Sequence, residues 1–268
     1  MNDDLPLGRR VPYSGSYDPS VLRTSKRCTA RQEIGMGDPL PFLGEDVWNC
    51  YELSWLAPSG LPRVGVLTLR VPVDSPRTVE SKSLKLYLGG FSASKFEDSA
   101  AVRSTVEDDL SRETGSAVGA IVSDLDDIQR LRDFANFCLD HLAVSVDRYE
   151  RSPDLLAATG ETGRDAVPPH LFRSICPITG HPGWGSVAIA DRGRLLDRAS
   201  VLRYLVSYRG TADFHEVATE RIFADLHRAT DATELTVDAR FLRRGGIDIN
   251  PYRSTARSRA PMVRLPRQ

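Results

Sequence analysis

Residues 174–185 read Ser-Ile-Cys-Pro-Ile-Thr-Gly-His-Pro-Gly-Trp-Gly, in which one cysteine precedes a turn dense in Pro and Gly. Its prolines and glycines predict a hairpin turn at Pro182, Gly183 and Gly185, with a strand after it. We expect this turn to leave the Cys176 thiol exposed enough to react, because a core cysteine usually lies inside an apolar run. Composition alone supports a small buried side chain equally well.

Hydrophobic periodicity on the N-terminal side of this stretch predicts three strands and two helices. Strands are expected at residues 46–56, 64–71 and 117–122, where apolar residues are dense between turn signals. A first helix is expected over residues 81–89. A second, over residues 96–112, carries Val102, Val106 and Leu110 at helical spacing before Gly115 ends it.

A similar order of elements is predicted in the second half. Alternation indicates strands at residues 142–146 and 235–241, and a further strand at 187–189 follows the turn. Asp197 is placed to cap one helix, and apolar residues from Phe214 to Leu226 mark another. The two halves share this order without visible sequence identity, which favours a duplicated α+β module over parallel βαβ units.

The expected domain organisation therefore has three parts. Residues 1–45 are rich in Pro, Gly, Ser and Asp and predict an irregular N-terminal arm. Residues 46–130 form the first module and residues 131–268 the second. The boundary falls in the charged segment from Asp124 to Arg132, which has little apolar alternation.

Composition indicates an ordinary soluble globular protein. The 268 residues are 41% hydrophobic and 26% charged, with a net charge of -1, which argues against direct nucleic-acid binding or membrane binding driven by charge. There is no run of 18 apolar residues, and the first residues are acidic where a signal peptide would be basic. We expect a cytoplasmic location.

The four cysteines give no metal or disulfide pattern. Cys28, Cys50, Cys138 and Cys176 form no Cys-x-x-Cys pair and have no histidine at ligand spacing, so we expect neither a zinc site nor a disulfide framework. The chain also has no glycine-rich dinucleotide motif between a strand and a helix, no P-loop and no His-Glu-x-x-His. We interpret His141, His170, His181 and His227 as structural.

Two basic stretches are candidates for phosphate binding. Only four of the 35 basic residues are lysines, and Lys82 and Lys85 lie in Glu-Ser-Lys-Ser-Leu-Lys-Leu-Tyr, residues 80–87. A helix beginning at Ser81 offers backbone N–H donors to an anion, but a helix cap with solvated lysines explains the stretch as well. Arginines also cluster in Arg-Arg-Gly-Gly-Ile-Asp-Ile-Asn-Pro-Tyr-Arg-Ser, residues 243–254. Arginine side chains at this second stretch would suit a phosphate group. The end of a strand that enters a solvated turn explains the stretch equally well.

Four separated motifs resemble those of the long, two-module NADPH-dependent 7-cyano-7-deazaguanine reductases. They are residues 80–87, the Cys-Pro-Ile-Thr-Gly-x-Pro-x-Trp-Gly turn, Phe-His-Glu at 214–216, and residues 243–254, and they occur in the family's order. The likeness runs nearly end to end. It implies the tunnelling fold, in which each module is an antiparallel sheet with two helices on one face and sheets join edge to edge into a barrel. A homodimer is expected because each module has unpaired sheet edges.

The resemblance also implies an activity and the residues that carry it. The family reduces the nitrile of 7-cyano-7-deazaguanine to an aminomethyl group with two NADPH, through a covalent thioimide, in the pathway to queuosine in transfer RNA. The implied catalytic residues are Cys176 as nucleophile and His215 above the thioimide. The implied base-binding residues are Glu80, Ser81 and Glu216. The implied cofactor-binding residues are Ser81, Lys82, Ser83, Lys85, Arg243, Arg244, Gly245 and Arg253, and no metal is expected.

This chain departs from the family pattern at residue 183. Family members have an aspartate seven residues after the cysteine as general acid and base, and this chain has Gly183. Loss of such a group typically costs about 10²- to 10⁴-fold in rate. The alternatives are a weak reductase, a reductase with another proton donor such as His215 or His181, a protein that binds the nitrile base covalently without reducing it, and a relative that forms an amidine.

Overall fold

A computed structural model of the chain describes residues 6–8, 15–125 and 138–268. Its strands are β1 (Thr24–Lys26), β2 (Leu43–Leu56), β3 (Pro62–Pro72), β4 (Arg77–Val79), β5 (Gly119–Ser123), β6 (Ala158–Val167), β7 (Phe172–Ile175), β8 (Pro182–Leu196), β9 (Glu234–Phe241) and β10 (Ile247–Ser254). Its helices are α1 (Arg27–Glu33), α2 (Ser81–Phe91), α3 (Ser99–Thr114), α4 (Arg198–Ser207) and α5 (His215–Thr230).

The chain divides into two compact units. The first unit comprises Met1–Gly37, Asp46–Arg130 and Arg243–Asp248, and the second comprises Asp38–Glu45, Leu131–Leu242 and Ile249–Gln268. Each unit therefore includes a short segment from the other half of the sequence. The module boundary that we expected between residues 130 and 131 lies outside the described residues.

The first unit contains the sheet order β5-β3-β2, with β5 antiparallel to β3. The predicted spacing of Val102, Val106 and Leu110 places all three on the buried face of α3, which packs on β5. Gly115 ends α3 in the left-handed conformation, with φ 77°, as its position after the last apolar residue predicts.

The second unit contains the antiparallel order β10-β9-β8-β6, and β7 pairs with the start of β8. The apolar face of α5, including Ala218, Ile222 and Leu226, packs across β8 and β9. Asp197 caps α4 by accepting a hydrogen bond from the Ser200 N–H, as predicted. The expected α+β architecture with antiparallel sheets is confirmed, and the first unit has a third, shorter helix, α1, besides the two that we expected.

Residues 15–45 differ from the irregular arm that we expected. β1 pairs antiparallel with β4, and α1 follows it directly. The buried side of α1 carries Arg27 and Arg31, whose guanidinium groups bind the Asp46 carboxylate and the Val73 carbonyl. Hydrophobic periodicity cannot detect a helix whose buried side consists of arginines, because the apolar stripe is missing.

Two strand predictions in the second half were wrong. Residues 142–146 belong to no strand, although alternate side chains are half-buried, so the period-two pattern reflects contact with one surface without backbone pairing. β9 was expected to be the last strand, but β10 follows it. β10 buries the polar residues Asp248, Asn250 and Arg253, which a hydrophobic pattern excludes.

The second unit contains a carboxylate pair that makes its stability depend on pH. Asp191 of β8 is the direct cross-strand partner of Asp165 of β6. Arg198 binds Asp165 in a bidentate ion pair and lowers its pKa. Burial, and then the Asp165 charge, raise the pKa of Asp191 to about 6. Because the folded state binds this proton more tightly than the unfolded state, stability from this group is lost as pH rises through about 6.

We therefore expect Asp191→Asn to stabilise the protein at pH 8 and to have little effect at pH 4. The raised pKa, discounted because the side chain is partly exposed, corresponds to about 1 kcal/mol, or roughly 2–4 °C in Tm. Thermal unfolding at the two pH values measures it. Glu161→Gln, an exposed acid on β6, is the matched control. Equal effects of Asp191→Asn at both pH values would contradict the prediction.

No helix among the described residues is long and apolar enough to span a membrane.

Candidate active site

The candidate nucleophile lies where β7 and β8 form a hairpin. Ser174 and Ile175 of β7 pair with Gly183 and Pro182 of β8. The connection is closed by Cys176, whose N–H donates to the His181 carbonyl at 2.9 Å and whose carbonyl accepts from the Gly180 N–H at 3.0 Å. The turn therefore precedes Pro182. Our prediction of a turn at Pro182, Gly183 and Gly185 was wrong, because these residues belong to β8.

The prediction of an exposed Cys176 was wrong. Only 9% of the residue is exposed, and its backbone is held inside the hairpin connection by two hydrogen bonds. The segment 211–213 pairs with the residue before Cys176, since the Ile175 N–H donates to the Thr211 carbonyl and the Asp213 N–H donates to the Ile175 carbonyl. A substrate must therefore reach a thiol that is largely shielded from water.

His215 approaches the same hairpin from α5. It is the first residue of that helix, 8% exposed, and its ring stacks on Phe241 with centroids 3.7 Å apart and 3° between planes. A β-carbon added at Gly183 would lie 2.9 Å from His215 Nε2. The imidazole therefore points into the space that a side chain at residue 183 would fill.

Ser174 is a further candidate site residue, which the sequence does not indicate. Its hydroxyl is buried, makes no hydrogen bond within the described part of the chain, and lies 3.4 Å from the same β-carbon position at Gly183. Only the register of β7 and β8 places it there, so no sequence signal identifies it. The second unit thus brings His215 and Ser174 to Gly183, on the same hairpin whose connection Cys176 closes.

Glu216 follows His215 in the first turn of α5 and is half-buried. A carboxylate is stabilised in this position by the N-terminal end of the helix dipole. Its neighbour in sequence, His215, faces the hairpin, so the Phe-His-Glu motif places an imidazole and a carboxylate at one helix terminus.

Glu80 and Ser83 of the first unit have defined structural roles. Glu80 caps α2: its two carboxylate oxygens accept from the Lys82 N–H at 2.7 Å and the Ser83 N–H at 2.8 Å. The Ser83 hydroxyl donates to the Glu80 carbonyl and accepts from the Arg23 N–H, and the residue is fully buried. We therefore leave Ser83 out of the cofactor site, whereas each Glu80 oxygen keeps a second lone pair for a substrate donor.

The first unit also gathers cationic groups near α2. The Lys85 side chain lies against the turn of Gly245, where a β-carbon would be 3.3 Å from Lys85 Nζ. Burial, and then the nearby Arg244 charge, lower the pKa of Lys85. Arg243 lies over the Tyr51 ring, 4.4 Å from its centroid. Ser81 and Lys82, both half-buried, begin the same helix.

Arg253 does not belong to this cationic group of residues, which comprises Lys82, Lys85, Arg243 and Arg244. It is fully buried in the second unit, and its guanidinium binds Glu220 through Nε at 3.1 Å and a terminal nitrogen at 2.9 Å. The other terminal nitrogen donates to the carbonyls of Tyr252 and Glu45. Its expected role in binding cofactor phosphate is corrected to a structural one, because its donors are used inside the unit.

Comparison with known proteins identifies the family. The family model described as nitrile reductase, 7-cyano-7-deazaguanine-reductase N-term matches residues 13–122, and the one described as QueF-like protein matches residues 182–260. One match in each half fits the expected pair of tunnelling-fold modules.

Three curated relatives are each named NADPH-dependent 7-cyano-7-deazaguanine reductase. The protein from Bordetella avium is 45% identical over 262 residues, covering 96% of both chains. That from Azoarcus sp. is 47% identical over 256 residues, covering 94% of this chain and 91% of the relative. That from Bordetella pertussis is 43% identical over 269 residues, covering 99% and 98%. On this similarity over nearly its whole length, the chain belongs to the NADPH-dependent 7-cyano-7-deazaguanine reductase family.

Proposed function

We propose that this protein reduces the nitrile of 7-cyano-7-deazaguanine to an aminomethyl group, in the pathway to queuosine. The balanced reaction consumes one nitrile, two NADPH and two protons, and yields one primary amine and two NADP⁺. The Cys176 sulfur adds to the nitrile carbon, and the nitrile nitrogen takes a proton to give a thioimide. Reduction of the thioimide, release of the thiol and reduction of the resulting imine complete the sequence.

The observation that carries the proposal is the arrangement around the β7–β8 hairpin. A nearly buried thiol closes the hairpin, and the His215 imidazole faces the space beside Gly183 on the same strand pair. Nucleophilic catalysis by cysteine requires a proton donor close to the atom that becomes negative. In this chain His215 is our candidate for that donor, because residue 183 has no side chain.

The two glutamates are the proposed base-binding groups. A deazaguanine base presents amino and ring N–H donors, which suit carboxylate acceptors. Glu80 is fixed in position by its two capping hydrogen bonds, and Glu216 lies in the first turn of α5. Ser81, next to Glu80, remains a proposed contact for base or cofactor.

The cationic group of the first unit fits NADPH, which supplies the hydride. Burial, and then the Arg244 charge, lower the pKa of Lys85, and the Glu80 and Glu52 charges act in the opposite direction. A phosphate bound beside Lys85 and Arg244 would add to this neutralisation. The glycine turn at Gly245 brings backbone close to the same point. Lys82 and Arg243 extend the positive charge, and arginine and lysine donors suit phosphate oxygens.

We expect Lys85→Met to raise the KM for NADPH about 10- to 100-fold with a smaller change in kcat, because a charge-assisted hydrogen bond to phosphate is worth about 1.5–3 kcal/mol. Steady-state NADPH oxidation measures it. Covalent capture of the nitrile base without NADPH should be unchanged. Lys95→Met is the matched control, since Lys95 Nζ donates to the Pro58 carbonyl on the exposed surface of the same unit. An unchanged KM in Lys85→Met would contradict the assignment.

The direct test of the reaction combines 7-cyano-7-deazaguanine, NADPH and the protein. We expect two NADPH oxidised per aminomethyl product, identified by its mass. Formation of the covalent adduct without NADPH oxidation would replace the proposed reductase with a protein that only captures the base. An amidine product in the presence of ammonia would indicate the amidine-forming reaction.

We further propose a homodimer in the cytoplasm. The strands β5 and β6 end the sheet orders described above, and a second copy offers edges that could pair with them. All four cysteines are free thiols, as is usual in a reducing compartment. Light scattering at micromolar concentration checks the assembly, and a monomer would contradict it.

A further inference from the structure

The second unit contains a group of three side chains that the proposed reaction does not use. Cys138, Asp140 and His170 each offer one ligand atom, and these three atoms all lie within 4.8 Å of one another. Cys138 and Asp140 flank the buried Leu139 at the start of a 3₁₀ turn, Leu139–His141. His170 lies between β6 and β7, so folding brings it beside residues about thirty positions earlier in the chain.

We propose that Cys138, Asp140 and His170 form a zinc-binding site. Thiolate, imidazole and carboxylate are the three ligand types that Zn²⁺ takes in proteins, and three protein ligands leave a fourth tetrahedral position for water. Hard cations such as Mg²⁺ and Ca²⁺ take oxygen ligands, and iron–sulfur clusters need several cysteines, so this mixed set favours zinc.

The geometry needs little adjustment to hold the ion. With bonds of about 2.0–2.3 Å, ligand atoms around tetrahedral Zn²⁺ are about 3.3–3.8 Å apart, so the separations of at most 4.8 Å close by about 1 Å. All three residues are half-buried, which leaves access for the ion from solvent.

Neighbouring hydrogen bonds already orient two of the three ligands. His170 Nδ1 lies 2.8 Å from the Ser186 hydroxyl, which fixes the ring direction. The Asp140 carboxylate accepts from the backbone N–H of His170, at 3.0 Å through one oxygen and 3.1 Å through the other, and its remaining lone pairs are available to a cation. Such outer contacts are the usual support of metal ligands in proteins. A bound ion would tie the 139–141 turn to the β6–β7 connection.

The test uses the full chain, freed of metal by a chelator and then given ZnCl₂ or CoCl₂. After removal of excess metal, we expect one ion per chain by elemental analysis and, with Co²⁺, a thiolate-to-cobalt charge-transfer band. Zn²⁺ should also raise the Tm of the unmodified protein by several degrees, since a ligand that binds only the folded state stabilises it. No retained metal together with an unchanged Tm would overturn the proposal.

Substitutions locate the site. Cys138→Ser should abolish the charge-transfer band, and both Cys138→Ser and His170→Gln should weaken zinc binding about 10²-fold or more, given that loss of an outer-shell partner alone costs 10- to 100-fold. Cys28→Ser, at an exposed thiol, and Cys176→Ser should keep the band. A band that persists in Cys138→Ser, or that disappears in Cys176→Ser, would overturn the proposal. These readouts do not depend on catalytic activity.

Discussion

Replacement of Cys176 by alanine is expected to abolish covalent capture of 7-cyano-7-deazaguanine. In the unmodified protein, intact mass should rise by the full mass of the substrate, because thiol addition to a nitrile releases no leaving group. The alanine variant has no nucleophile, so the shift should vanish and NADPH oxidation should fall on the order of 10⁴-fold or more. Mass spectrometry without NADPH and steady-state rates with NADPH measure the two effects.

Cys28→Ser is the matched control, because Cys28 is an exposed thiol on α1 of the first unit. It should retain both the mass shift and the rate. Persistence of the adduct in Cys176→Ala would remove Cys176 from the mechanism. Loss of the adduct in Cys28→Ser as well would mean that its loss in Cys176→Ala does not identify Cys176 as the nucleophile.

Introduction of aspartate at residue 183 is expected to raise the reduction rate about 10²- to 10⁴-fold, the usual contribution of a positioned general acid. The structure removes one obstacle to this change. Gly183 is the second residue of β8 and is absent from the left-handed region, so its backbone conformation accepts any L-residue. Affinity for the base should change little, since the new carboxyl acts on the reacting nitrogen.

A second obstacle is steric and can be tested separately. The new β-carbon would lie 2.9 Å from His215 Nε2, so the imidazole must shift by a few tenths of an ångström along Phe241. Gly183→Ala introduces this contact without an acid and should show no gain. Gly183→Asn matches the shape of aspartate without its proton.

Single-turnover rates for the three variants separate these effects. A rate for Gly183→Asp no higher than that for Gly183→Asn would show that the chain already has a sufficient proton donor. In that case His215→Ala, made in the protein that keeps Gly183, should lower the reduction rate, because His215 is our candidate for the existing donor.

The longer amphipathic elements could be predicted from the sequence. The i, i+4, i+8 spacing in α3, the Asp197 cap of α4 and the alternation in β9 each follow from local rules, and the structure has them. Elements whose buried side is polar could not be predicted in this way. Arg27 and Arg31 of α1, and Asp248, Asn250 and Arg253 of β10, are buried through partners distant in the chain.

The sequence by itself determined the family, the candidate nucleophile Cys176 and the departure at Gly183, because motifs are local and linear. Only the tertiary structure decided which polar side chains are used in structural hydrogen bonds and which lie together as candidate site residues. The register of β7 and β8 sets Ser174 beside Gly183, Glu220 uses the donors of Arg253, and the fold brings His170 to Cys138. The physical reason is that a buried polar group must find its partner in space, and separation along the chain does not predict that partner.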